Sequence, residues 1–180
     1  MTRYQYYVAS SLDGFIADRN GRIDWLLAFG FEDYAEHYER FIAGIGAIVM
    51  GASTYRFLLD AGPDAWTYDV PAFVLTHRTP PTVPGKDIRF RSGDVAALHA
   101  ELAAAAGDRD VWVVGGGGVA ADFADAGMLH DLFVTVMPLA LGAGSPLLPV
   151  GRDLALTLTG TTPFPSGAVE LAYRLDTPPR

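Results

Sequence analysis

The sequence predicts an α/β fold: a mixed, mostly parallel central sheet with flanking helices and a C-terminal antiparallel hairpin, with residues 1–180 forming one domain. Three observations carry this. Short apolar runs of strand length alternate with segments of helical period, and such alternation requires crossover connections between parallel strands. Toward the C-terminus the pattern changes to two strictly alternating segments on either side of a Pro- and Gly-rich bend. The 180 residues are 50% hydrophobic, with 10 Phe, 8 Tyr and 3 Trp, enough apolar surface for one core. That length falls short of the roughly 250 residues at which cores divide.

Residues 4–10 are rich in aromatic and β-favouring side chains and run into Ser11-Leu12-Asp13-Gly14, a turn signature. They read as a strand entering a loop that carries Phe15, Ile16 and Ala17. Asp18-Arg19-Asn20-Gly21 is a second turn, followed by an apolar stretch containing Trp25, Leu26, Leu27, Phe29 and Phe31. Residues 32–42 place Tyr34, Tyr38, Phe41 and Ile42 at helical spacing, with acids leading and Gly44 and Gly46 as the stop. Residues 47–50 and 72–76 have the pattern of strands buried on both faces, and 54–59 between them reads as a short helix. The Pro-rich piece 80–85 is a surface connection. Residues 94–106 set Val95, Leu98 and Leu102 on one helical face, with Ser92 as the cap and Gly107 as the exit. Residues 111–114 are a buried strand leading into four glycines, and a helical pattern resumes over 119–126. A strand at 132–137 and the alternating pair 154–160 and 168–175 complete the sheet, and the tail Pro178-Pro179-Arg180 is expected to fray.

Thirteen basic against 21 acidic residues give a net charge of −8, which repels a nucleic-acid backbone over most of the surface. One phosphorylated small molecule stays compatible, since a few local donors suffice to hold it. With no Cys there is no disulfide framework, thiolate metal site or Cys nucleophile, and no metal site is expected. The N-terminal stretch is too short and too polar for a signal-peptide core, and no apolar run reaches bilayer-spanning length. A cytoplasmic location with no membrane partner is therefore expected.

The strongest local signal is Val113-Val114-Gly115-Gly116-Gly117-Gly118-Val119. Glycines let backbone N–H groups approach a pyrophosphate, and the helix that follows adds unpaired donors and a positive dipole end. A tight strand-to-helix turn packed against a neighbour explains the same glycines equally well. No Lys-Ser/Thr follows, so a nucleoside-triphosphate loop fails, and the unit stands too late in the chain for a Rossmann fingerprint. Two other strand ends, Met50-Gly51-Ala52-Ser53-Thr54-Tyr55 and Thr76-His77-Arg78, place Gly, hydroxyl and cationic groups where open α/β sheets bind ligands.

Four segments occur in order: Ser10-Ser11-Leu12-Asp13-Gly14-Phe15-Ile16-Ala17; Val49-Met50-Gly51 with Thr54-Tyr55; the four-glycine turn; and His130-Asp131-Leu132 through Pro138-Leu139-Ala140-Leu141-Gly142-Ala143-Gly144. Together they resemble the dihydrofolate reductase superfamily. The resemblance is closer to the branch containing the reductase domain of the riboflavin-biosynthesis deaminase-reductase and its stand-alone relatives, and it runs from Tyr4 to Leu175.

The resemblance implies a dihydrofolate-reductase-like fold and an NADPH-dependent reductase that passes a hydride to a small heterocyclic or carbonyl substrate. The alternatives are a 5-amino-6-(5-phosphoribosylamino)uracil reductase proper and a nucleotide-binding module of the same fold without turnover. It places Gly115, Gly116, Gly117, Gly118 and Val119 at the pyrophosphate, and Met50, Gly51 and Thr54 at the diphosphate and nearby ribose. Thr76, His77 and Arg78 fall at the adenosine end, with Arg78 the candidate for the 2′-phosphate. Relatives commonly carry basic side chains after the glycine that is Gly51; Ala52 and Ser53 stand there, which leaves the choice between NADPH and NADH open. Leu12, Gly14 and Ala17 would line the nicotinamide, and Asp13 either lies near the reaction centre or serves only the turn. Dihydrofolate reductases proper carry an acid on the first helix. Spacing back from Met50 suits none of Glu32, Asp33 and Glu36 and falls nearer His37, which weighs against folate reduction and makes His37 either a proton donor or a structural residue. Trp25, Phe29, Tyr38 and Phe41 are candidates for an aromatic substrate wall, with core packing as the alternative. Strand 132–137 and the turn 139–148 resemble the part that pairs subunits in this branch, which implies a homodimer burying at least about 1,000 Å².

Overall fold

The computed structural model describes residues 2–176, and the expected fraying of Pro178, Pro179 and Arg180 lies outside the described residues. β1 (Tyr4–Ser11) is central because both of its faces are apolar, with Tyr4 and Tyr6 packed on one side and Tyr7 on the other. β2 (Phe15–Asp18), α1 (Asp24–Leu27) and α2 (Ala35–Ala43) lead to β3 (Ile45–Gly51), which is buried along its whole length. Then come α3 (Ala52–Asp60), β4 (Ala72–Leu75), β5 (Ile88–Arg91), α4 (His99–Ala106), β6 (Asp110–Gly115) and α5 (Gly117–Asp125). The chain ends with β7 (Asp131–Met137), β8 (Gly144–Pro146), β9 (Leu156–Pro163) and β10 (Val169–Leu175).

The main sheet has the order β5-β4-β3-β6-β1-β7-β10-β9. Pairings from β5 through β7 are all parallel, and β10 runs antiparallel to both β7 and β9, so the mixed sheet with its terminal hairpin is the expected architecture. Period-two alternation divides the core. Val49, Val113 and Val134 face α4 and α5, where Leu102 and Phe123 are fully buried. Ile48, Met50 and Trp112 face the other way, against Tyr55 of α3 and the aromatic residues of α2. No described helix is long and apolar enough to cross a membrane.

Several local expectations need correction. Residues 15–17 are not a loop: Phe15–Asp18 pairs antiparallel with Gly144–Pro146 as a small second sheet. The helix expected over 32–42 begins as a 3-10 turn, Glu32–Tyr34, before α2 takes over. Asp94, not Ser92, caps the segment leading into α4, its Oδ1 accepting from the Ala96 N–H at 2.9 Å. β5 had no counterpart in the sequence reading. Its Arg89 and Arg91 lie over the Phe73 ring and pair with Glu101 on α4, so cations cover the outer edge of the sheet.

α4 packs directly on β3 because Gly46 has no side chain. A Cβ there would stand 2.1 Å from the Ala106 carbonyl oxygen. Gly46→Ala is expected to cost about 3 kcal/mol of stability, read as a lower urea midpoint at an unchanged slope.

Candidate active site

Because the strands from β5 to β7 run parallel, their carboxyl ends share one rim. A cleft of about 480 Å³ opens on it between Gly51, Thr76, His77, Gly116, Gly118 and Val119. Two helices start there. Gly51 is the N-cap of α3 and Gly116 the N-cap of α5, and neither start has a side-chain cap. The first-turn N–H groups of both helices, with the positive ends of their dipoles, are thereby aimed at one space.

The glycine run divides its labour. Gly115 has φ 131°, a conformation L side chains rarely adopt. A Cβ on Gly117 would stand 2.1 Å from the Pro146 carbonyl oxygen, so that residue serves the packing of α5 on the 146–147 segment. A Cβ on Gly118 would meet nothing within 4 Å. The tight-turn reading thus describes Gly117, and the open cradle describes Gly118.

Alongside lies a second cleft of about 540 Å³ that shares Ala52 and Thr76 with the first. It adds Arg78 after β4 and Arg56, one helical turn beyond Ala52 on α3. Arg78 is positioned through its own N–H, which donates to Thr76 Oγ1 at 3.0 Å.

The segment from Ser11 to Asp18 is fastened down. The Leu12 N–H donates to the Leu139 carbonyl, the Leu147 N–H to the Gly14 carbonyl, and β2 pairs with β8. Asp13 accepts from the Ser11 hydroxyl at 2.6 Å and from the N–H groups of Leu141 and Gly142 at 3.0 and 2.7 Å. These donors, the Ser11 hydroxyl foremost, hold its carboxyl down at about 2, so at neutral pH it is a carboxylate with no proton to give. Leu12 projects at the tip, 72% exposed, while Ala17 is buried within β2.

A third hollow, about 340 Å³, lies over the far halves of β1 and β7. Tyr7, Ala9, Thr135 and Met137 form its floor, and Leu26, Leu27, Phe31, Tyr34 and Tyr38 its walls. Burial raises the hydroxyls of Tyr7 and Tyr38 above the ordinary phenol value, so both rings are neutral.

The family model of the RibD C-terminal domain matches residues 4–169. This chain belongs to that family. As a RibD C-terminal domain it is 31% identical over 171 residues to the Bacillus subtilis (strain 168) protein YwjB, covering 93% of this chain and 94% of YwjB. It shares its fold with a Shewanella sp. PV-4 protein named for riboflavin biosynthesis, at TM-score 0.84 and 23% identity, over 97% of this chain and 99% of that one. It shares it also with the dihydrofolate reductase of Enterococcus faecalis complexed with NADP(H), at TM-score 0.64 and 14% identity, over 97% and 96% of the two chains. The fold is dihydrofolate-reductase-like.

In this RibD C-terminal domain, His37 is not an isolated helix residue. Its Nε2 lies 2.8 Å from Oε1 of Glu170, a side chain on β10 that is 3% exposed. Glu170 stands opposite Thr135 in the β10–β7 register, so the two side chains share one face of the sheet and Glu170 flanks the floor of the apolar pocket. Its Oε2 is buried without a protein partner, and burial pushes its carboxyl above the usual range against the pull of His37. A sequence offers no signal for such a pair, since 133 residues separate its members.

The rim therefore gathers Gly51, Thr76, His77, Gly116, Gly118 and Val119 in one cleft, with Arg78 next door. Met50 lies fully buried beneath it, and Thr54 is not among the lining side chains. The sequence reading missed Ser92, Gly93 and Val95, which reach the cleft only because β5 exists, and Asp122 on α5. Trp25, Phe29 and Phe41 do not line the apolar pocket. Trp25 and Phe29 pack in the small core beneath the loop, and Phe41 stacks 4.4 Å from the Tyr7 ring.

Proposed function

We propose that this chain is an NADPH-dependent reductase whose rim cleft holds the dinucleotide and whose apolar pocket holds a small heterocyclic or carbonyl substrate. The observation that carries the reading is the convergence of two helix starts without side-chain caps, on α3 and α5, upon a cleft bordered by Gly116 and Gly118. The residues suit the cofactor. Open space over Gly118 admits a pyrophosphate, first-turn N–H groups satisfy its oxygens, and Arg78 with Arg56 offers guanidinium groups for a 2′-phosphate at the neighbouring end. NADPH, when bound, supplies the hydride from its nicotinamide ring.

The protein's part is to bind, orient and exclude water. The fastened 11–18 segment, with Leu12, Ala17 and Ile16, covers the stretch between cleft and pocket; a Cβ on Gly116 would lie 3.9 Å from Ile16 Cδ1. Asp13 holds that segment closed, and His37, backed by Glu170 beside the pocket floor, is the candidate proton donor. A homodimer belongs to this reading. β7 is flanked by β1 and β10, so its edges are closed to a partner, and the contact falls to exposed Leu156 and Leu158 on the outermost strand and Val169 beside it.

Arg78→Ala is expected to weaken NADPH binding by about tenfold and leave NADH unchanged, measured by calorimetric titration of both. Asp13→Ala frees two N–H groups and is expected to lower turnover by about tenfold, with the pH limbs of the rate profile in their wild-type positions. The function itself is tested by following loss of nicotinamide absorbance with a panel of heterocyclic and carbonyl compounds. Substrate-dependent oxidation is expected; no oxidation with any compound would defeat catalysis.

A further inference from the structure

We propose that the apolar pocket takes a flat, unphosphorylated ring compound whose polar edge meets Thr135, and that it rejects ring compounds carrying a phosphate. The proposal rests on the reductase reading only in calling this occupant the substrate; the preference belongs to the pocket itself.

The walls are aromatic or aliphatic, with the Phe31 and Tyr38 rings edge to face at 5.6 Å, and the volume of about 340 Å³ suits a fused-ring molecule. Among the described residues, no Lys, Arg or His lines the pocket. Of the basic side chains nearby, Arg22 lies 3.8 and 3.6 Å from Asp18 and Asp24, Arg40 2.9 Å from Glu36, and His37, its ring 6.2 Å from that of Tyr7, is held by Glu170 at 2.8 Å. The helix start beside the pocket carries acids, Glu32 and Asp33 in the 3-10 turn and Glu36 in the first turn of α2, which oppose an anion there. Beside the floor, next to Thr135, stands the Glu170 carboxyl, already paired with His37. A phosphate in this place would leave water with no cation in the lining to meet it and with the acids of the helix start beside it. The rim is built the opposite way, with two bare helix starts at one cleft and the guanidinium groups of Arg56 and Arg78 in the cleft beside it. Polar recognition in the pocket falls to uncharged hydroxyls, that of Thr135 on the floor together with those of the lining tyrosines, suited to one hydrogen-bonding ring edge.

Three probes share one flat ring system: lumichrome without a side chain, riboflavin with an uncharged ribityl chain, and flavin mononucleotide with the phosphate added. Their binding to the full chain is read by fluorescence quenching without cofactor. Lumichrome and riboflavin are expected to bind, and flavin mononucleotide to bind at least about tenfold more weakly than riboflavin. Leu27→Lys places a cation on an exposed wall position and is expected to close that gap, while Thr135→Val weakens lumichrome several-fold. Equal or tighter binding of the phosphorylated probe, or no binding by any of the three, would overturn the proposal. NADPH titration of the same protein is scored separately: its failure removes the reductase reading and leaves the ranking of the three probes to decide the pocket.

Discussion

Gly118→Asp is expected to weaken NADPH binding at least about 100-fold, or about 2.7 kcal/mol, while leaving folding stability unchanged or slightly raised. Gly118 is the second residue of α5, and a Cβ there meets nothing, so the side chain is accommodated without strain. A carboxylate in the first turn favours the helix by about 0.3–1 kcal/mol through the dipole. The same charge confronts the pyrophosphate at the donors meant for it, so the two effects have opposite signs and separate cleanly. Gly118→Ala serves as the control, with a loss of only a few-fold. Calorimetric titration and thermal unfolding of both variants read the outcome; wild-type affinity in the Asp variant would remove the pyrophosphate from this helix start.

His37→Ala is expected to destabilise the fold by about 3 kcal/mol at neutral pH, because it leaves the buried Glu170 carboxyl without its partner at 2.8 Å. The pH dependence follows from the direction of the Glu170 shift. Its folded value is raised above its unfolded one, so its favourable contribution is full below the ordinary value of 4.5 and is lost as pH rises through the folded value. Removing His37 takes away a group that lowers the folded value, which enlarges the loss on the neutral side. The difference between wild type and His37→Ala is therefore expected to shrink as pH falls toward about 4.5, and Glu170→Gln should suppress most of it. Urea unfolding at acid and neutral pH checks this. A penalty independent of pH would mean that His37 contributes packing alone.

Sequence legibility followed locality. β3 and β6 were plain because strands covered on both faces need continuous apolar runs, and Ile45–Gly51 and Asp110–Gly115 have them. β5 was hidden because Ile88–Arg91 is a four-residue edge strand whose arginines look like surface loop and bury only their stems over Phe73. β2 was hidden because its partner is the three-residue β8, more than a hundred residues away. The site divides in the same way. Gly51, Thr76 and Gly116 were legible as residues following buried strands, whereas Ser92 and Asp122 join the cleft only through the order of strands in the sheet. On and before α2 the spacing reveals an aromatic face but not which rings meet open space: of its candidates Tyr38 lines the pocket and Phe41 does not, and Phe31 and Tyr34 join Tyr38 there. Glu170, beside Thr135 and against His37, has no local signature at all.

The most direct measurement of the central claim is a titration of the wild-type chain with NADPH, followed by the fluorescence of its nicotinamide. One molecule bound per chain, with enhanced emission and a signal lost in Gly118→Asp, is the result expected of a cradle at the ends of β3, β4 and β6. A flat titration at concentrations far above those at which reductases hold their cofactor, or a signal indifferent to Gly118→Asp, would contradict it.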